Sequence, residues 1–137
     1  MSVKSDTQTV RLQTDWKTAF SFIADPTNLP LWAVGFCRSA RRDGNRWIVQ
    51  TGAGECPLNI DAHPVRGTID FHMEPMPNVK ASAYSRIIDC GDGSEYVFTQ
   101  FSVPAAPEEM FVANVESLRE ELIVLRSVLR ARHVCPA

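Results

Sequence analysis

Several familiar signals are missing from this 137-residue chain. No window is apolar for long enough to cross a bilayer, which excludes a helical membrane protein. The N-terminus, MSVKSDTQTV, is polar and lacks the hydrophobic region of a secretory signal, so a cytoplasmic location is expected. Neither charge dominates. Fourteen basic residues against 16 acidic ones give a net charge of -2, which leaves no footprint for nucleic acid or an anionic membrane. The four cysteines, Cys37, Cys56, Cys90 and Cys135, form no C-x-x-C pair. A zinc ribbon and a thioredoxin-type motif are therefore excluded, and reduced packing thiols are expected. Gly52-x-Gly54 lacks a third glycine and a following helix, so it does not make a phosphate cradle. No cofactor is expected.

What is present is a sequence of well-marked elements in a chain long enough for one domain, residues 1–137, with a core of its own. Thr7 to Leu12 alternates as a strand does. Thr14 or Asp15 can cap the helix that follows, where Trp16, Ala19, Phe20 and Ile23 recur on one face. Pro26 ends that helix and suits the first turn of another, with Asp25 as its cap and Leu29 and Trp32 turned inward. Arg38 to Arg42 and Arg46 to Gln50 read as a hairpin about Asp43-Gly44-Asn45, and Thr51 to Pro57 as a loop.

Leu58 to His63 and Thr68 to Met73 form the clearest hairpin. Leu58, Ile60 and Ala62 share a face with Ile69, Phe71 and Met73; Asn59, Asp61 and His63 share the other with Thr68, Asp70 and His72. Pro75 and Pro77 end the second strand of this pair. Val79 to Ile88 and Ser94 to Ser102 are two further strands, for a total of about seven. From about Pro107 to Arg132, Phe111, Val115, Leu118, Leu122, Leu125 and Leu129 repeat by four and three. That stripe suits a long helix covering a half-wet sheet better than a short coiled coil.

The order of strand, two short helices, six strands and long helix resembles the SRPBCC superfamily, also called START-like, Bet v 1-like or polyketide cyclase/dehydrase-like. Three stretches carry the resemblance: Trp16-x-x-x-Phe20-x-Phe22-Ile23-x-Asp25-Pro26-x-Asn28-Leu29-Pro30-x-Trp32, Gly93 to Thr99, and Glu120-Glu121-Leu122-x-x-Leu125. The resemblance implies an α+β helix-grip fold, in which an antiparallel sheet curls round the C-terminal helix and leaves an apolar cavity between them. It also implies a small hydrophobic ligand of lipid, polyketide or aromatic type. A polyketide cyclase/aromatase or dehydratase-type enzyme is the alternative, and a non-catalytic dimeric interaction protein a third reading. No nucleic acid and no membrane insertion are expected.

The candidate ligand-binding residues are Trp32, Phe36, Ile60, Phe71, Met73, Met110, Phe111 and Leu118, with Tyr84, Arg86 and Phe98 from the last hairpin. Trp32, the 52–57 segment and Met110 are expected to frame the entrance. Pairing Arg86 with Tyr96 and Tyr84 with Phe98 puts these four and Gln100 on one face. If that face is inward, Arg86 is a buried cation that a ligand carboxylate or enolate would partner. If it is outward, Ala81, Ala83, Thr99 and Phe101 line the interior instead. No acid–base pair falls at positions read as inward, so no catalytic group is assigned. Asp61, His63, Asp70 and His72 have the chemistry of cation ligands, but a solvated outer face accounts for them, and no metal is expected.

Overall fold

In the computed structural model, which describes residues 3–134, the local signals become eleven elements. Strand β1 is Ser5–Leu12. Asp15 caps helix α1, Trp16–Ile23, by accepting from the Thr18 N–H at 3.1 Å. The next carboxylate, Asp25, repeats the device on Thr27 and starts a 3-10 turn, Pro26–Asn28, which runs into α2, Leu29–Trp32. Ala19, Phe20 and Ile23 of α1 are buried as the spacing predicts, and Phe22 joins them. The Arg132 guanidinium lies over the Phe22 ring at 4.8 Å.

Six strands follow as an uninterrupted meander: β2 Ser39–Asp43, β3 Arg46–Thr51, β4 Gly54–His63, β5 Thr68–Met76, β6 Val79–Asp89 and β7 Ser94–Phe101. The sheet order is β1-β7-β6-β5-β4-β3-β2, antiparallel throughout. Consecutive strands β1 and β2 therefore sit at opposite edges, and α1 and α2 carry the chain across. Helix α3, Glu108–Val134, packs on β1 and α2 and buries Leu118, Leu122, Leu125 and Leu129. Together they form an α+β fold in which a seven-stranded curved sheet holds a long helix.

Three expectations need correction. The 51–57 stretch is not a loop: β4 begins at Gly54, and the turn before it is only Gly52-Ala53. The Thr51 hydroxyl closes this turn, donating to the Gly54 carbonyl at 2.8 Å and accepting from the Ala53 N–H at 3.1 Å. Gly54 takes the positive φ of 121° that the tight reversal requires. Pro75 does not stop β5 either. The strand continues to Met76 because the proline sits in a register shift between Met73 and Met76, where no ladder N–H is needed. The third correction concerns the last hairpin and alters the cavity wall.

Candidate functional site

The β6–β7 register pairs Ser85 with Phe98, Arg86 with Val97 and Ile87 with Tyr96. It is one residue off the expected pairing, so every side chain of β6 is turned to the other face relative to β7. The inward row of β6 is Ala81, Ala83, Ser85 and Ile87, against Tyr96, Phe98 and Gln100 of β7. Tyr84 and Arg86 are exposed on the outer face. Arg86 is not a cation inside the cavity. Tyr84 packs edge-on between His72, at 6.2 Å, and Phe101, at 6.1 Å.

The small side chains of β6 leave room. A cavity of about 340 Å³ opens between the sheet and α3, a volume suited to a small organic molecule. Trp32 and Phe36 line it from α2 and the turn after it, Phe71 and Met73 from β5, Phe98 from β7, and Met110 and Leu118 from α3. Seven of the eleven expected residues are thus brought together. Ile60 packs against the core but does not reach the cavity, and neither does half-buried Phe111.

The mouth differs from expectation in one respect. Gly52, Ala53 and Met110 are exposed lining residues, as an entrance needs. Trp32 is only 2% exposed, so it forms an inner wall. Its ring meets Tyr96 edge to face at 6.3 Å. Both residues hold a buried polar atom, the Trp32 indole N–H and the Tyr96 hydroxyl, that has no hydrogen-bond partner among the described residues. Burial pushes the Tyr96 phenol far up, so it stays protonated; the neighbouring Ser85 hydroxyl, which donates to the Ile69 carbonyl at 2.7 Å, acts in the opposite direction.

The polar part of the cavity contains one group that sequence reasoning missed. Glu121 of α3 is 7% exposed and lines the cavity. Its Oε2 accepts the backbone N–H groups of Gly35 and Phe36, each at 3.0 Å, which ties α3 to the turn after α2. Burial raises its carboxyl to about 7, against the lowering effect of those two N–H donors and with a small push from Glu120. A carboxyl in this range exchanges protons near neutrality. Position 121 lies three residues after Leu118 and four before Leu125, hence on the buried face; that spacing was the available signal. Opposite it, Gln100 donates to Asp6 at 3.1 Å and to the Asn114 carbonyl at 3.3 Å, fastening β7 and β1 to α3.

Three of the four residues expected in the outer-face cluster come together. Asp61 pairs with Asp70, and ligand atoms of Asp61, Asp70 and His72 lie within 4.8 Å of one another. His63 pairs with Thr68 and stands apart. His72 Nδ1 is 2.8 Å from the Ser82 hydroxyl. Of the cysteines, Cys37 and Cys56 are buried and free, and burial raises the Cys37 thiol to about 11. Cys90 is free as well. Cys135 lies outside the described residues.

Among solved structures the chain is similar to the Zhui aromatase/cyclase from a Streptomyces species, with a TM-score of 0.74, 16% identity and 98% of each chain covered. This is the helix-grip fold. The di-domain ARO/CYC BexL of the BE-7585A biosynthetic pathway has a TM-score of 0.75 at 14% identity over 95% of this chain. The present chain spans about half of it, 47%. The Aha1 dimer from Colwellia psychrerythraea has a TM-score of 0.73 at 10% identity, with 92% and 96% of the two chains covered. Neither a family model nor a curated protein matches the sequence. Identities this low establish the shared fold and leave function to the residues of the site. Among the described residues no helix is long and apolar enough to cross a membrane.

Proposed function

We propose that this protein binds a small hydrophobic molecule in the cavity between the sheet and α3. The observation that carries the reading is the cavity itself. It keeps about 340 Å³ open against Phe36, Phe71, Met73, Phe98 and Leu118, side chains that would otherwise close on one another. Removing apolar ligand surface from water is worth about 25 cal/mol per Å², before the cost of immobilising the ligand. Native mass spectrometry of the protein purified from its own host tests the reading. A co-purifying apolar molecule is expected. A protein that arrives empty and fails to take up anilinonaphthalene sulfonate would refute it.

A second reading, an enzyme of the cyclase or dehydratase type, is favoured by Glu121. A carboxyl held near 7 inside an apolar cavity can take a proton from, or return it to, a carbon beside a ligand ketone. Solvent-deuterium exchange at such a carbon, catalysed by the protein and lost in Glu121→Gln, is the expected signature of this activity. Exchange at the same rate in the variant would count against it.

A further inference from the structure

Among the described residues, the cavity wall carries one carboxylate and no cation. Glu121 supplies the carboxylate, and no lysine, arginine or histidine lines the space. Arg38 reaches toward the rim, its guanidinium 3.9 Å from where a Gly52 Cβ would stand, but it is not part of the wall. One oxygen of Glu121 is committed, because Oε2 accepts from Gly35 and Phe36. The other is open. Among the described residues, the buried side-chain polar atoms that are both unpartnered and sealed off belong to Trp32 and Tyr96 alone, so Oε1 keeps accessible surface. Ser117, one turn earlier on α3, lines the same wall. Gly35 shows how close the two side chains are: a Cβ there would stand 3.0 Å from Ser117 Oγ and 3.4 Å from Glu121 Oε2. A hydroxyl oxygen able to accept hydrogen bonds thus adjoins the carboxylate.

We infer that the ligand is an apolar molecule bearing an amine, held as an ammonium by Glu121 Oε1 with Ser117 Oγ as a further acceptor. This rests on the proposal that the cavity binds an apolar molecule, and it names the group that faces α3. An apolar body that fills the cavity expels the water around Oε1. A negative charge left there is costly unless a cation pairs with it or a proton neutralises it. The wall offers no cation, so a cation has to come with the ligand. An ammonium has three N–H donors and no acceptor, which suits two neighbouring oxygens. A hydroxyl has one proton to donate and leaves the net charge in place. An anionic molecule can still enter apolar end first, with its charge left at the mouth where Arg38 reaches the rim.

Charged and uncharged ligands have opposite proton linkage. Burial holds the Glu121 carboxyl at about 7. An ammonium selects the ionised form, and an uncharged ligand selects the protonated one. The groups around Glu121 do not reproduce this contrast. Glu120 on the same helix is exposed and raises the Glu121 value slightly. Cys37, in the turn packed against Glu121, is raised to about 11, and burial also raises Cys56 across the cavity. Asp6 of β1 is held by Gln8 and Gln100 beside Asn114, two turns away along α3.

The test uses three probes of similar size, 2-(2-naphthyl)ethylamine, 2-(2-naphthyl)ethanol and 2-propylnaphthalene, in equilibrium dialysis against the full chain. The amine stays protonated throughout, since an alkylammonium titrates near the lysine value of about 10. Its affinity should rise about tenfold between about pH 6 and about pH 8, following the ionised fraction of Glu121. At the upper pH it should bind more tightly than the alcohol and the hydrocarbon. The hydrocarbon's affinity should not rise. Glu121→Gln should flatten the amine's profile, and Ser117→Ala should weaken the amine without weakening the hydrocarbon. The deciding profile is read on the unmodified chain, so a variant that folds poorly does not remove the test. An amine affinity that stays flat or falls with pH would overturn the inference and leave the cavity reading intact. So would an alcohol that binds as tightly as the amine at the upper pH. If none of the three binds, the cavity reading fails with it.

Discussion

Glu121 accepts the Phe36 backbone N–H at 3.0 Å, and this bond joins the middle of α3 to the turn that ends α2. The contact holds a titratable group inside the fold, and it makes stability depend on pH in a definite direction. Burial outweighs the two N–H donors and raises the carboxyl from 4.5 to about 7. The folded state therefore holds a proton that the unfolded state releases. The stabilisation is complete below about 4.5 and is lost as pH rises through about 7. Over that window the loss amounts to roughly 3 kcal/mol at most. Cys37, its thiol raised to about 11, does not titrate there, and exposed Glu120 adds a negative neighbour on α3 itself. In Glu121→Gln, urea unfolding at a series of pH values should show a flatter profile, with the variant gaining on the parent above neutrality. Parallel profiles would mean that the carboxyl is not buried as described.

Leu122 is 3% exposed beneath the sheet. Leu122→Asp removes a core side chain and buries an unpaired charge at once. The two effects together should exceed about 4 kcal/mol, most of a typical domain's stability. Far-ultraviolet circular dichroism should show the variant largely unfolded at room temperature. Near-parent melting would exclude the packing of α3 on the sheet.

Ala83 is buried on the inward row of β6 and lines the cavity. Ala83→Trp should fill the space a ligand needs and abolish anilinonaphthalene sulfonate uptake. Overpacking should cost about 1–3 kcal/mol, so binding is to be measured at a temperature where the variant remains folded. Undiminished uptake would place the ligand elsewhere.

Arg86 serves as the opposite control. Because it is on the outer face, Arg86→Ala should change stability by less than about 0.5 kcal/mol and leave uptake unaltered. A clear loss of binding would restore the inward register.

The register of the last hairpin shows where sequence reading stops. Alternation in 79–88 and in 94–102 tells which residues share a face within each strand. It says nothing about the phase between strands, which depends on how many residues the turn consumes. Here Asp89 pairs with Ser94, one step from the assumed closure. Aromatic residues in the two strands suggest one shared face, but Tyr84 faces out, and alanines and a serine face in. By contrast, the 58–63 and 68–73 pair came out as expected, Asp61 opposite Asp70 included, because apolar and polar residues alternate in both strands and matching the two apolar faces excludes a one-residue slip. Trp32, Phe71, Met73 and Leu118 were legible as wall residues for the same reason: size and spacing agree. Glu121 was not, because a glutamate among leucines is ordinarily assigned to the solvent side of its helix. Only its tertiary partners, two backbone N–H groups from 85 and 86 residues away, explain its burial.

The sheet order has a kinetic consequence. Every pairing among strands β2 to β7 is between sequence neighbours, so that meander closes by short loops. The β1–β7 ladder is different: Leu12 meets Ser94 and Ser5 meets Phe101, separations of 94 − 12 = 82 and 101 − 5 = 96 residues. Contacts at such distance are reached against the largest loop-closure entropy in the chain, which favours a late place for them in the order of assembly. Until β1 docks, β7 is an open edge with its backbone groups unpaired and its inward Tyr96 and Phe98 only partly covered. That makes the partly assembled chain, more than the finished one, the species at risk of pairing with copies of itself.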